Sequence, residues 1–83
     1  VPNILVADDN PVSLRFFAEA LARLGLACEL AADGIETVAK AQRTRFDLLL
    51  IDARMPGLDG SEALARIRAV PGPSQNAVAL ATT

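Results

Sequence analysis

The sequence predicts an α/β fold, an open parallel sheet with helices on both faces in the order β-α-β-α-β-α-β. Three observations predict it. Short apolar runs alternate with longer amphipathic stretches; one run, Phe46 to Ile51 (FDLLLI), is almost purely aliphatic; and each amphipathic stretch opens on residues that start helices. Alternation with short connections implies right-handed crossovers between parallel strands. At 83 residues the chain has room for one domain with a thin stability margin.

The elements follow in order. Asn3 to Ala7 (NILVA) is a short buried strand ending in two aspartates. Asn10 is placed to cap a helix whose first residue is Pro11, where a missing N–H costs nothing. Leu14, Phe17, Leu21 and Leu24 recur at three- and four-residue steps and give that helix its apolar face, and Gly25 stops it. Leu26 to Ala31 (LACELA) is a second, weaker strand. Asp33 with Glu36 forms a capping-box pattern for a second helix that runs to about Gln42, with Ile35, Val38 and Ala39 expected inward. Phe46 to Ile51 is the strongest strand, and its unbroken aliphatic run implies cover on both faces. Asp59 with Glu62 repeats the helix start, with Leu64 and Ile67 inward. Val70 to Asn76 (VPGPSQN) is a Pro/Gly loop, and Ala77 to Thr83 (AVALATT) is a fourth strand.

Composition narrows the function. Hydrophobic residues make up 52% of the chain, mostly Ala and Leu, which excludes the disordered class. The net charge is −2, with 8 basic and 10 acidic residues and no basic run, so no direct nucleic-acid contact is expected. Cys28 is alone, which rules out an internal disulfide and fits a reducing compartment. No apolar run approaches the roughly 20 residues of a membrane span, and no signal-peptide pattern opens the chain. The expectation is a soluble cytoplasmic domain with no membrane contact. Neither G-x-G-x-x-G nor a P-loop occurs, which argues against nucleotide binding.

In an open α/β sheet, ligands bind at the carboxyl ends of the strands, near the point where strand order reverses. Asp8 and Asp9 follow the first strand, Asp52 ends the third, and Thr82 and Thr83 end the fourth. A single aspartate after a strand is ordinarily a turn residue. Three converging carboxylates repel one another and are tolerated when a divalent cation sits among them; oxygen ligands with open positions suit Mg²⁺. The set is therefore far more specific than any one member.

The segments ILVADDN, DLLLIDARMPGLDG and VALATT, in this order and spacing, resemble a response-regulator receiver domain of two-component signalling, and the resemblance covers essentially the whole chain. It implies a flavodoxin-like (CheY-like) fold and a phosphorelay switch, not an enzyme turning over a metabolite. It further implies that Asp52 is the phosphoacceptor for a phosphohistidine on a histidine kinase or phosphotransfer domain. Asp9 aligns with a direct Mg²⁺ ligand, Asp8 with the acid that holds metal-bound water, and the backbone carbonyl of Arg54 with a further ligand. Thr82, with Thr83 as the alternative, aligns with the hydroxyl that reports phosphorylation to an output domain or other protein. DDNP near the start favours receivers attached to hybrid sensor kinases. Met55 and Pro56 shape the loop, and Gly57 and Gly60 are expected to allow unusual backbone angles. Cys28 is expected to be a small buried hydrophobe, and Phe16 and Phe17 core or helix-flank residues.

Two other classes compete. A haloacid-dehalogenase-like phosphohydrolase also uses an aspartate nucleophile and Mg²⁺, but wants a second acid where Arg54 stands. An unphosphorylated, receiver-like binding scaffold is signalled by loss of Asp8, Asp9 or Asp52, and all three are present. One departure from the family pattern stands out. Receivers continue through a further helix, a lysine-bearing fifth strand and a last helix, whereas residues 1–83 correspond to the N-terminal part, and the only lysine, Lys40, lies inside the second helix. The fourth strand is then expected to be an unprotected edge, with the remainder unrepresented, removed, or replaced by a neighbouring molecule through dimerisation or strand exchange.

Overall fold

The computed structural model describes residues 2–82. Four strands and three helices alternate: β1 (Ile4–Ala7), α1 (Pro11–Arg23), β2 (Cys28–Ala31), α2 (Gly34–Arg43), β3 (Leu48–Asp52), α3 (Gly60–Ala69) and β4 (Val78–Thr82). All strand pairs are parallel and the sheet order is β2-β1-β3-β4. The expected element order holds, with β2 and β3 beginning two residues later than their apolar runs.

The helix starts form through the side chains that the sequence points to. Asn10 Oδ1 accepts the Val12 amide at 2.9 Å, Asp33 Oδ1 the Glu36 amide at 2.7 Å, and Asp59 Oδ1 the Glu62 amide at 2.8 Å. Gly25, at φ 78°, takes the left-handed conformation that ends α1.

Crossover handedness places the helices. The chain moves from β1 to β2 in one direction, then back across β1 to β3 and on to β4, so α1 lies on one face and α2 and α3 on the other. The α2–α3 face is the full one: Leu5, Ala7, Leu49 and Ile51 meet Ala41, Met55 and Ile67 there, all buried. The α1 face is thinner. Ile4 and Val6 are buried, but Leu48 and Leu50 are only half-buried, and Val78 and Leu80 on β4 are 62% and 53% exposed. The aliphatic run of β3 therefore has complete cover on one face only, because α1 packs over β1 and β2 and stops short of β4. Among the described residues β4 is the outermost strand on its side of the sheet.

Two helix faces differ from expectation. Ile35 is 69% exposed and Ala39 is exposed, whereas Gly34, Thr37 and Ala41 are buried and Val38 is half-buried. The inward stripe of α2 is thus rotated toward small and hydroxyl-bearing residues. Thr37 can be inside because Oγ1 donates to the Asp33 carbonyl at 2.6 Å, leaving no unsatisfied polar atom. Leu24 is 73% exposed, since the chain leaves the helix there and turns at Gly25. Phe16, also exposed, is a flank residue stacked edge-on against Phe17 with ring centroids 5.7 Å apart.

The Val70–Asn76 loop is held by a buried hydroxyl that no periodicity signals. Ser74 is 1% exposed; its Oγ accepts the Phe46 amide at 2.8 Å and donates to the Thr44 carbonyl at 2.6 Å. Arg68 Nη1 donates to the Gln75 carbonyl at 2.6 Å, and Gln75 Nε2 donates to the Arg68 carbonyl at 3.0 Å. Ser74→Ala leaves the Phe46 N–H buried without an acceptor, and urea denaturation should show a loss of about 1–3 kcal/mol. A loss within about 0.5 kcal/mol, the range of ordinary surface substitutions, would show that water replaces the hydroxyl.

Candidate functional site

The strand order reverses between β1 and β3, which opens a crevice at the carboxyl ends of these two central strands. Ala7 and Ile51 are register partners, so the residues that follow them stand side by side at the mouth of that crevice. Those residues are Asp8 and Asp52. Carboxylate oxygens of Asp8, Asp9 and Asp52 lie within 4.8 Å of one another.

Each acid is held differently. Asp8 is 7% exposed; its Oδ1 accepts the Asn10 amide at 3.0 Å, and its own amide donates to the Ala31 carbonyl at 3.1 Å. Asp9 is exposed. Asp52 is half-buried at the tip of β3, and its Oδ1 accepts the Arg54 amide at 3.0 Å, leaving Oδ2 without a protein partner among the described residues. Both ion pairs among the described residues, Arg15–Glu19 and Lys40–Glu36, lie outside the cluster. Three like charges thus meet with no ion-pair partner among the described residues.

The residues fit a hard divalent cation. Octahedral Mg²⁺ with oxygens at about 2.0–2.1 Å brings its ligands to about 3–4 Å from each other, close to the spacing of the observed oxygens, which lie within 4.8 Å. An all-oxygen, partly solvated donor set leaves room for water and for a substrate oxygen.

Thr82 ends β4 as the register partner of Asp52, and its carbonyl accepts the Ala53 amide at 2.8 Å. It lines, with Asp8, Val12, Ser13, Phe16 and Phe17, a cleft of about 360 Å³ on the α1 side. Thr83 lies outside the described residues. The side chain of Arg54 is exposed. Gly57, at φ 79°, has the expected left-handed backbone, but Gly60 does not. Gly60 is needed for contact: a Cβ there would overlap the Asp52 carbonyl oxygen and come within 3.0 Å of the Ala53 Cα. Cys28 is half-buried, and burial pushes its thiol above the ordinary range. One residue next to the site carries no sequence signal of chemistry. Gly34 abuts the loop after β3. A glycine at the first position of a helix, where alanine is better by propensity, was the available signal. Lys40, inside α2 as expected, donates from Nζ to the Leu30 carbonyl at 2.6 Å.

A doubly wound sheet with three carboxylates in the crevice at its switch point places the chain among α/β proteins whose ligand site lies at the strand tips. Comparison with known proteins narrows the class to one family. The chain belongs to the response regulator receiver domain family, whose model matches residues 4–83. It is 38% identical over 65 residues to the sensor histidine kinase RcsC of Escherichia coli, a match covering 78% of this chain and 7% of that protein. It is 44% identical over 71 residues to probable histidine kinase 4 of Oryza sativa, covering 84% of this chain and 7% of that protein. The chain therefore spans a small fraction of the kinases that it matches.

Among solved structures, the receiver domain of a sensor histidine kinase from Pseudomonas aeruginosa superposes with a TM-score of 0.91 at 39% identity, over 99% of this chain and 66% of that one. That structure has a magnesium ion coordinated in its active-site cleft. A response regulator receiver from Methanoculleus marisnigri superposes with a TM-score of 0.92 at 34% identity, over 100% of this chain and 67% of that one. Family membership sets aside the dehalogenase-like reading.

Asp9→Asn removes one of the three like charges. In EDTA the variant should melt a few degrees above the wild type, while the rise in Tm that added Mg²⁺ gives the wild type should largely disappear. A metal-free Tm below that of the wild type would mean that the cluster is not under mutual repulsion.

Proposed function

We propose that this chain is a phosphoacceptor receiver in a two-component phosphorelay, in which Asp52 takes a phosphoryl group from a phosphohistidine on a histidine kinase or phosphotransfer domain. Residues 1–83 are read as the N-terminal part of that unit, a reading supported by the share of the neighbouring receivers that they span. The observation that carries the proposal is the convergence of three carboxylates, their oxygens within 4.8 Å of one another, at the β1/β3 switch point.

Asp52 suits the nucleophile better than its neighbours do. Asp8 is buried and tied to the Asn10 amide, and Asp9 sits on the exposed turn after β1. Asp52 ends a strand that is paired to β1 as far as Ile51 and to β4 through Asp52 itself, which holds its backbone. The Arg54 amide holds Oδ1, which leaves Oδ2 to attack. In the transfer, Oδ2 forms a bond to phosphorus as the P–N bond to the donor imidazole breaks. The electron pair returns to the imidazole nitrogen, which takes up a proton, and Asp52 carries an acyl phosphate. In-line geometry and charge neutralisation are the main demands of such a step.

Asp8, Asp9, Asp52 and the Arg54 backbone carbonyl would hold Mg²⁺, which supplies the positive charge that lets two anions meet. The tight hydrogen bond on Asp8 suits it to orient metal-bound water, and the exposure of Asp9 suits direct coordination. Thr82, the register partner of Asp52, would donate its hydroxyl to a phosphoryl oxygen, a reading supported by that register. The acyl phosphate is labile, as a reversible switch requires, and the output goes to an attached domain or another protein. The kinase names of the relatives support a hybrid sensor-kinase setting, and a lone, half-buried cysteine fits the cytoplasm. No helix among the described residues is long and apolar enough to cross a membrane.

Intact-mass measurement of the full-length protein with a small phosphodonor tests the assignment. The wild type should gain one phosphoryl group in Mg²⁺ and none in EDTA, and Asp52→Asn should gain none in either. An equal gain in the wild type and in Asp52→Asn would remove Asp52 as the acceptor.

A further inference from the structure

From the end of β2 into the first residue of α2 the chain turns a corner, Leu30 to Gly34, that touches both loops carrying the acids. On one side the Ala31 carbonyl accepts the Asp8 amide at 3.1 Å, so the corner holds the backbone from which the Asp8 carboxylate projects. On the other side Gly34 lies against the β3–α3 connection. A Cβ at Gly34 would overlap the Leu58 carbonyl oxygen and come within 2.8 Å of the Leu58 Cβ. Leu58 is buried and belongs to the same short loop as Arg54, directly after Asp52.

The corner is braced from behind. Glu36 Oε1 accepts the Ala32 amide at 2.6 Å, Asp33 Oδ1 accepts the Glu36 amide at 2.7 Å, and Thr37 Oγ1 donates to the Asp33 carbonyl at 2.6 Å. Lys40 Nζ, paired with Glu36 at 3.7 Å, donates to the Leu30 carbonyl at 2.6 Å. Four side-chain bonds over so few residues make the corner stiff relative to the loops on either side. A stiff wedge in contact with both loops sets the distance between them.

We propose that Gly34 is a positioning residue for the acidic site: by letting the first turn of α2 seat against Leu58, it fixes the spacing between Asp8 and Asp9 on one loop and Asp52 and Arg54 on the other. The inference rests on the reading of these acids as a Mg²⁺-dependent phosphoacceptor site, and adds to it a brace outside the ligand set. A methyl group at Gly34 meets backbone in front and a hydrogen-bonded helical turn behind, so the β3–α3 loop has to yield. Gly25 offers the contrast. It has φ 78°, and a methyl group added there would meet nothing within 4 Å, so Gly25→Ala strains its own backbone and leaves the acidic loops alone.

The test follows the backbone amides of Asp8, Asp9 and residues 52–60 by NMR in the full-length protein, first in EDTA and then through a Mg²⁺ titration. Gly34→Ala should move the Arg54 and Leu58 amides before any metal is added, and should raise the Kd for Mg²⁺ about tenfold, the lower end of what losing an outer support costs a metal site. Gly25→Ala should lower the Tm while leaving the Mg²⁺ Kd at the wild-type value. Lys40→Met gives an independent reading, decisive even where Gly34→Ala fails to fold. Removing a positive charge on purely electrostatic grounds tightens Mg²⁺ binding to the acids, whereas loosening the brace weakens it. Weaker binding supports the proposal, and tighter or unchanged binding overturns it. A wild type that does not respond to Mg²⁺ removes the phosphoacceptor reading and this inference together. A wild type that binds Mg²⁺, an Asp9→Asn that does not, and a Gly34→Ala that binds like the wild type overturn the brace alone.

Discussion

The parallel register of β1 on β3, with Ile4 beside Leu48 through Ala7 beside Ile51, is the constraint on which the rest of the molecule depends. A slip of one residue would turn Leu5 and Ala7 out of the core and carry Asp8 away from Asp52. Two things hold the register. Leu5 and Leu49, both 0% exposed, face the same core, so the apolar pattern admits one alignment. At the amino end, far from the acids, the Asn3 carbonyl accepts the Asp47 and Leu48 amides, Asp47 Oδ2 accepts the Asn3 amide at 2.8 Å, and Asn3 Nδ2 donates to the Arg45 carbonyl at 3.2 Å. The core and a polar clamp at one end of the strands thus decide where the carboxylates meet at the other.

The two faces of the sheet are unequal. The α2–α3 face is closed by small residues that let helices come near, with Gly34 and Gly60 each in backbone contact with the loop around Asp52. The α1 face leaves Val78 and Leu80 largely open. The β2 edge carries Glu29, an exposed charge that discourages further pairing. Tight packing among the described residues is concentrated under the crevice.

Much of this was legible in the chain because it depends on local chemistry. Asn10, Asp33 and Asp59 announce their helices through caps that need only the next three residues. The acids were legible because they sit at strand ends, and chain order alone puts the ends of parallel strands on one side of a sheet. Features that depend on what a residue meets in space were not legible. Ile35 has the character of a core residue, but Thr37 takes the inward place because its hydroxyl finds the Asp33 carbonyl. Ser74 looks like any loop serine until Phe46 and Thr44 are seen on either side of it. Gly60 invites a reading as a backbone hinge, yet its φ is ordinary and its missing side chain serves contact with the Asp52 carbonyl.

The placement of Asp52 and Thr82 has a mechanical logic under the proposed reading. A nucleophile gains from a fixed backbone, because an error of about 1 Å in the position of a reacting atom can cost about a hundredfold in rate. Asp52 ends β3, which is paired to β1 from Leu48 to Ile51 and to β4 from Leu48 to Asp52, and the loop that follows is wedged against Gly34. Thr82 is the register partner of Asp52 on β4, and its carbonyl accepts the Ala53 amide at 2.8 Å, so the residue that would carry the phosphoryl group and the residue that would read it are tied to each other through one strand pairing.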